Sequence, residues 1–81
     1  MKIAVVLNVD RHYDPQVSLY STPALAIEAA KKLAQECNQF NDLREREGVD
    51  LPNNMQKAGW LYHATYGEAE TITVFEQDVD A

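Results

Sequence analysis

The segment Ser21 to Phe40, STPALAIEAAKKLAQECNQF, constrains the fold of this chain more than any other. Thr22 stands where an N-cap belongs, with a hydroxyl able to accept an orphan backbone N–H. Pro23 follows at the first helical position, where its missing N–H costs nothing. Ala24, Ala26, Ala29, Ala30 and Ala34 are strong helix formers. Ala26, Ile27, Ala30, Leu33, Ala34, Cys37 and Phe40 recur at three- and four-residue steps and make one apolar stripe. Glu28, Lys31, Lys32, Gln35 and Glu36 fall on or beside the opposite face. A lone helix of this size is marginal in water. The stripe therefore needs a sheet to lie on, and its alanines allow a close approach.

The flanking sequence supplies that sheet. Lys2 to Val9 alternates, with Ile3, Val5, Leu7 and Val9 forming one strongly apolar face. Gln16 to Tyr20 repeats the pattern, and Asp10 to Pro15 between them carries turn chemistry at Asp14-Pro15. After Phe40 the helix is expected to continue through the charged run Asn41 to Glu47, with Gly48 as its stop. Gly48 to Gly59 is irregular, with room for a short helix near Pro52 that runs to Ala58, or for a loop. Trp60 to Tyr66 is an aromatic strand, with Trp60, Tyr62, Ala64 and Tyr66 on one face. Gly67 to Glu70 reads as a hairpin connection. Thr71 to Val79 is the last strand, with Ile72 and Val74 on one face, and the tail after it is expected to fray. The expectation is one domain over residues 1–81: an α+β two-layer sandwich, ββαββ, with a four-stranded antiparallel sheet and one main helix on one face.

The 81 residues carry a net charge of −6. An acidic surface repels phosphate backbones, which disfavours direct nucleic-acid binding and favours a basic protein partner. No apolar run approaches the length of a membrane span, and MKIAVVLNVD lacks the apolar block and cleavage site of a signal peptide. Cys37 is a lone cysteine on the apolar stripe and reads as a small buried hydrophobe. These features suit a cytoplasmic protein. A chain this short buries only roughly 60% of its unfolded surface, so a partner or a second copy has stability to offer.

Asp10, His12 and Asp14 alternate along the expected turn, and Arg11 lies among them. Two carboxylates and an imidazole are able to hold a divalent metal, with His63 as a fourth ligand. The plainer reading is hairpin-end architecture: aspartates bonding turn N–H groups, and Arg11 pairing with a carboxylate. No metal or other cofactor is therefore assigned. The three glycines stand apart and make no phosphate loop. No nucleophile–base pattern is visible, so the chain is read as a non-enzyme.

The stretch DRHYDPQVSLYSTPALAIEAAKKLA, followed by the aromatic strand Trp60 to Tyr66 and an acidic last strand, resembles a type of small phage and prophage protein. The resemblance implies a phage setting. In size and charge such proteins are similar to inhibitors of host defence, anti-CRISPR proteins among them. Those occupy a surface on a larger target, such as a CRISPR effector.

The expected function is binding and blocking a larger, basic host protein. The acidic contacts would be Asp10, Asp14, Glu68, Glu70, Glu76 and Asp78. The aromatic anchors would be Tyr13 and Tyr66. The alternatives are a small-ligand module, for a nucleotide or a metal, using Arg11, His12 and His63, and a homodimeric accessory protein that pairs through its open sheet face or an edge strand.

Overall fold

A computed structural model describes residues 2–38 and 42–79. In them the chain forms β1 (Lys2–Asp10), β2 (Tyr13–Tyr20), α1 (Pro23–Cys37) and β3 (Arg44–Glu47). A 3₁₀ turn (Gly48–Asp50), α2 (Asn53–Lys57), β4 (Trp60–Thr65) and β5 (Thr71–Asp78) follow. The strands make one antiparallel sheet in the order β2-β1-β5-β4-β3. Phe40, Asp80 and Ala81 lie outside the described residues.

The α+β class holds, with five strands where the sequence suggested four. The run Arg44 to Glu47 is an edge strand rather than an extension of the helix. The helix has already ended at Asn38, whose φ of −81° and ψ of 77° leave the helical region. In an Arg-Glu-Arg-Glu strand, alternate side chains take opposite faces. Glu45 accepts the Tyr62 hydroxyl at 2.6 Å, and Glu47 meets Lys31 of α1 at 2.8 Å. Arg44 and Arg46 pair in register with Thr65 and His63 on the other face. Charge alone hides this strand, because the same four residues suit a solvated helix equally well.

The start of α1 follows its sequence. Thr22 Oγ1 accepts the Leu25 N–H at 3.3 Å, and Pro23 opens the helix. The alanine stripe also behaves as expected: Ala26, Ala30 and Ala34 are fully buried. They pack on Ala4 and Val6 of β1, Tyr62 and Ala64 of β4, and Ile72 and Val74 of β5. The helix therefore covers the face of β1 with the smaller side chains. Ile3, Val5, Leu7 and Val9 stand on the opposite face.

That opposite face is only partly sheltered. The segment Pro52 to Met55 lies against it at the Arg44, Arg46, His63 and Thr65 end. Gly59, at φ +87°, makes the turn from α2 into β4, and its carbonyl accepts the Glu76 N–H. A bulge follows between Trp60 and Tyr62. Trp60 therefore pairs with Phe75 and leaves the face it was expected to share with Tyr62, Ala64 and Tyr66. Its ring rests 5.1 Å from that of His63. Farther along the same face, Val17 and Leu19 of β2 remain 60% and 62% exposed.

These two faces predict opposite responses to substitution. Ala30→Leu forces extra volume into the helix–sheet contact and should cost about 1–3 kcal/mol. Leu19→Gln should change stability by less than about 0.5 kcal/mol. Urea unfolding of both variants measures the difference.

Candidate functional site at the hairpin ends

The β1–β2 and β4–β5 hairpins end side by side, because β1 and β5 are neighbours in the sheet. Val9 pairs with Thr71, which brings Asp10 at the end of β1 beside Glu70, the residue just before β5. The β1–β2 connection is only Arg11-His12, tighter than the six-residue turn the sequence suggested. Between Asp10↔Tyr13 and Asn8↔Gln16 the β2 strand carries one extra residue. This bulge falls at Asp14-Pro15, where proline has no N–H to give to a ladder. It places Tyr13 on the helix side of the sheet, in reach of Asn8.

A polar network closes this end of the core. The Tyr66 hydroxyl donates to Asp10 Oδ2 at 2.7 Å and accepts from Asn8 Nδ2 at 3.0 Å. Asn8 Nδ2 also donates to the Thr71 carbonyl, and the Tyr13 hydroxyl donates to Asn8 Oδ1 at 2.6 Å. Asp10 Oδ1 accepts the His12 backbone N–H at 2.8 Å and lies 2.7 Å from His12 Nδ1. Glu70 Oε1 takes Arg11 Nε at 3.0 Å, and Glu70 Oε2 accepts the Ala69 N–H at 2.9 Å. Asp10 and Glu70 are only 8% and 4% exposed, while Arg11 and His12 reach into solvent.

Gly67 makes room for this arrangement. A Cβ there would fall on the Glu70 carboxylate, 2.9 Å from its Cδ. In front of the network lies a cleft of about 440 Å³, also bordered by Glu36 and Cys37 at the end of α1, by Asp42, and by Glu68. Cys37 is half-buried and packs against the core from this side.

The ionisable groups respond to these contacts. The His12 N–H holds the Asp10 carboxyl below its ordinary value of 3.8; the Tyr66 hydroxyl and the His12 ring add to this, against burial. Burial, with hydrogen bonding to Tyr13 and Asp10, pushes the Tyr66 hydroxyl far above its ordinary range, so it serves as a neutral donor. On the far face, burial first and Arg46 second lower the His63 pKa. Its Nδ1 sits 3.0 Å from Thr73 Oγ1.

The structure thus unites some of the expected residues and separates others. Asp10, Arg11 and His12 do meet, but their third acidic partner is Glu70, while Asp14 is exposed and stands apart. His63 is on the other side of the sheet and cannot join them. Of the expected contact residues, Asp10, Tyr66 and Glu70 are buried in the network and Glu76 is half-buried, whereas Tyr13, Asp14, Glu68 and Asp78 are exposed. Asn8 carries almost no signal a single sequence reveals, and Gly67 reads only as part of a hairpin connection. Asn8 interrupts the small-residue face of β1, and that is the only hint of its role.

A second candidate surface is the face that α1 leaves bare. By register it carries Val5, Leu7, Val17, Leu19, Phe75 and Trp60, with Arg44 and Arg46 at the β3 border. Among the described residues, no helix is long and apolar enough to cross a membrane.

Tyr66→Phe should cost about 1–3 kcal/mol, because it removes the acceptor of one buried Asn8 N–H and a donor from Asp10. The Asp10 shift sets a pH dependence. A lowered native pKa stabilises the fold fully above the unfolded value, and that contribution vanishes as pH falls through the native value. The stability of the wild type should therefore decline below about pH 4, and Asp10→Asn should make that decline shallower. Urea midpoints across roughly pH 2.5–6 measure both effects. No protein-family model, curated protein or solved structure matches this chain significantly, so its function has to be argued from this geometry.

Proposed function

We propose that this chain is an interaction protein that docks onto a larger, basic protein through its uncovered sheet face. The observation that carries this reading is the placement of Val17 and Leu19. They stand side by side on an edge strand, mostly exposed, and pair in register with Leu7 and Val5. Ordinary surfaces scatter such residues singly; grouped on one face they suit a contact surface. The β2 edge adds unpaired backbone groups along its outer side.

Charge favours a foreign partner over a second copy. Two copies at −6 each repel one another, while a basic partner is drawn in and oriented by the same field. By register Glu45, Glu47, Glu76 and Asp78 fall on the helix side of the sheet, and Asp10, Asp14, Glu68 and Glu70 lie at the hairpin ends. They would form a rim that meets basic side chains around an apolar centre. Asp14, Glu68 and Asp78 are the exposed carboxylates for such a rim, with Tyr13 beside them. In the narrower form suggested by the resemblance at Asp10 to Pro15, the partner is a nucleic-acid-binding defence complex of the host, and docking blocks it. The acidic charge and the small size support that form.

The test is affinity capture from host lysate at low salt, with wild type and the double variant Val17→Glu/Leu19→Glu as paired baits. Both substitutions lie on an exposed face and should leave unfolding unchanged. A single basic protein retained by wild type, lost from the double variant and eluted by salt is the expected result. Its purified form should bind with affinity that falls as ionic strength rises. Equal retention on both baits, or a concentration-dependent dimer in sedimentation with no captured protein, would refute the reading.

A further inference from the structure

We propose that Asp10 Oδ1, His12 Nδ1 and Glu70 Oε1 form a binding site for a first-row divalent cation of the zinc type. The site lies at the hairpin ends, and its test is independent of the sheet-face reading. His12 Nδ1 is 2.7 Å from Asp10 Oδ1 and 3.8 Å from Glu70 Oε1, and ligand atoms from all three residues lie within 4.8 Å of one another. A tetrahedral ion with bonds of about 2.0–2.1 Å holds its donors about 3.3 Å apart. The two nitrogen–oxygen separations bracket that spacing, and small side-chain adjustments bring the two carboxylates to it.

The oxygens that do not face the shared point are held by neutral donors. Tyr66 fixes Asp10 Oδ2, and the Ala69 N–H fixes Glu70 Oε2. Outer-shell bonds of this kind orient carboxylate ligands in metal sites. They leave Oδ1 and Oε1 turned toward the imidazole nitrogen. The absence of a side chain at Gly67 lets the Glu70 carboxylate stay in that position.

The charge count points the same way. Glu36, Asp42 and Glu68 join the two buried carboxylates around the cleft, and among the described residues Arg11 is the single arginine or lysine that lines it. Such a concave acidic surface concentrates cations. Arg11 Nε now occupies part of the site through Glu70 Oε1. Its exposed side chain is free to swing into water when an ion takes that oxygen. One imidazole and two carboxylates suit zinc or manganese better than magnesium or calcium, which prefer oxygen alone. The coordination position left by three protein donors opens on the cleft.

Calorimetry and thermal melting of the full chain with zinc chloride, and with magnesium chloride for comparison, test the assignment. One zinc ion per chain and a melting temperature that climbs with zinc concentration are expected, with no response to magnesium. His12→Ala, at an exposed turn position, should weaken zinc binding at least about tenfold without unfolding the protein. Gly67→Ala should weaken it by dislodging the Glu70 carboxylate. Arg11→Ala should tighten it, because the competing guanidinium is gone. Cobalt bound to the wild type should show visible ligand-field bands that His12→Ala abolishes. His63→Ala and Cys37→Ser should bind zinc as the wild type does. The assignment is overturned by any of four results: no zinc-dependent heat or melting shift, an equal response to magnesium, unchanged affinity in His12→Ala, or loss of binding in Cys37→Ser.

Discussion

The rest of the structure depends on the contact of Ala26, Ala30 and Ala34 with the small-residue face of the sheet. A helix lined by methyl groups gains from burial only if its axis lies close to the strands. The face of β1 that carries Ala4 and Val6 permits this, with Ala64, Ile72 and Val74 beside it. The face carrying Ile3, Val5, Leu7 and Val9 would hold the helix farther off and leave voids between its alanines. Close packing, rather than total hydrophobic area, selects the side on which the helix sits. The consequence is that the larger aliphatic side chains of β1 fall on the face away from the helix, where Val5 is buried and Ile3, Leu7 and Val9 are half-buried.

This choice also explains how the short edge strand is secured. Lys31 projects from α1 at the flank of the stripe and reaches Glu47. Tyr62, fully buried under the helix, extends its hydroxyl to Glu45. Both contacts need the helix close to the sheet and the two glutamates on its side. The ladder with β4 then places Arg44 and Arg46 on the other face, where they border the apolar patch. A single packing decision thus sets the distribution of charge between the two faces.

Much of this was legible in the residues. The helix start at Thr22-Pro23, the apolar stripe as far as Cys37, the alternation of β1 and β5, and the Gly67 to Glu70 connection all carry local signals, and each is where those signals put it. Two features had none. Arg44 to Glu47 has a charge pattern compatible with helix or strand, and only the open edge of β4 decides between them. The bulge at Trp60 breaks the alternation that assigned its face, and a bulge is a property of two strands rather than one. The site at the hairpin ends was half legible. Asp10 and His12 announce themselves by spacing, but Glu70 joins them only because β1 and β5 are neighbours, a pairing between residues sixty positions apart that no local pattern encodes.

The composition of that site bears on what it is for. The same end of the core could be closed with apolar side chains of similar volume, and such replacements of buried charged groups are often neutral or stabilising. Folding alone therefore gives little reason to hold two carboxylates out of water at the meeting point of two hairpins. It gives less reason to pair Asp10 Oδ1 and Glu70 Oε1 with a histidine and an arginine whose side chains reach into solvent. Tyr66, Asn8 and Tyr13 form a neutral, well-bonded layer that already seals the core behind them. The carboxylates lie outside that seal; Tyr66 and the Ala69 N–H tether one oxygen of each, while Asp10 Oδ1 and Glu70 Oε1 meet groups of His12 and Arg11 at a common point. A network built only for stability would turn its tethers inward and leave no shared focus; this one keeps its focus at the mouth of an acidic cleft.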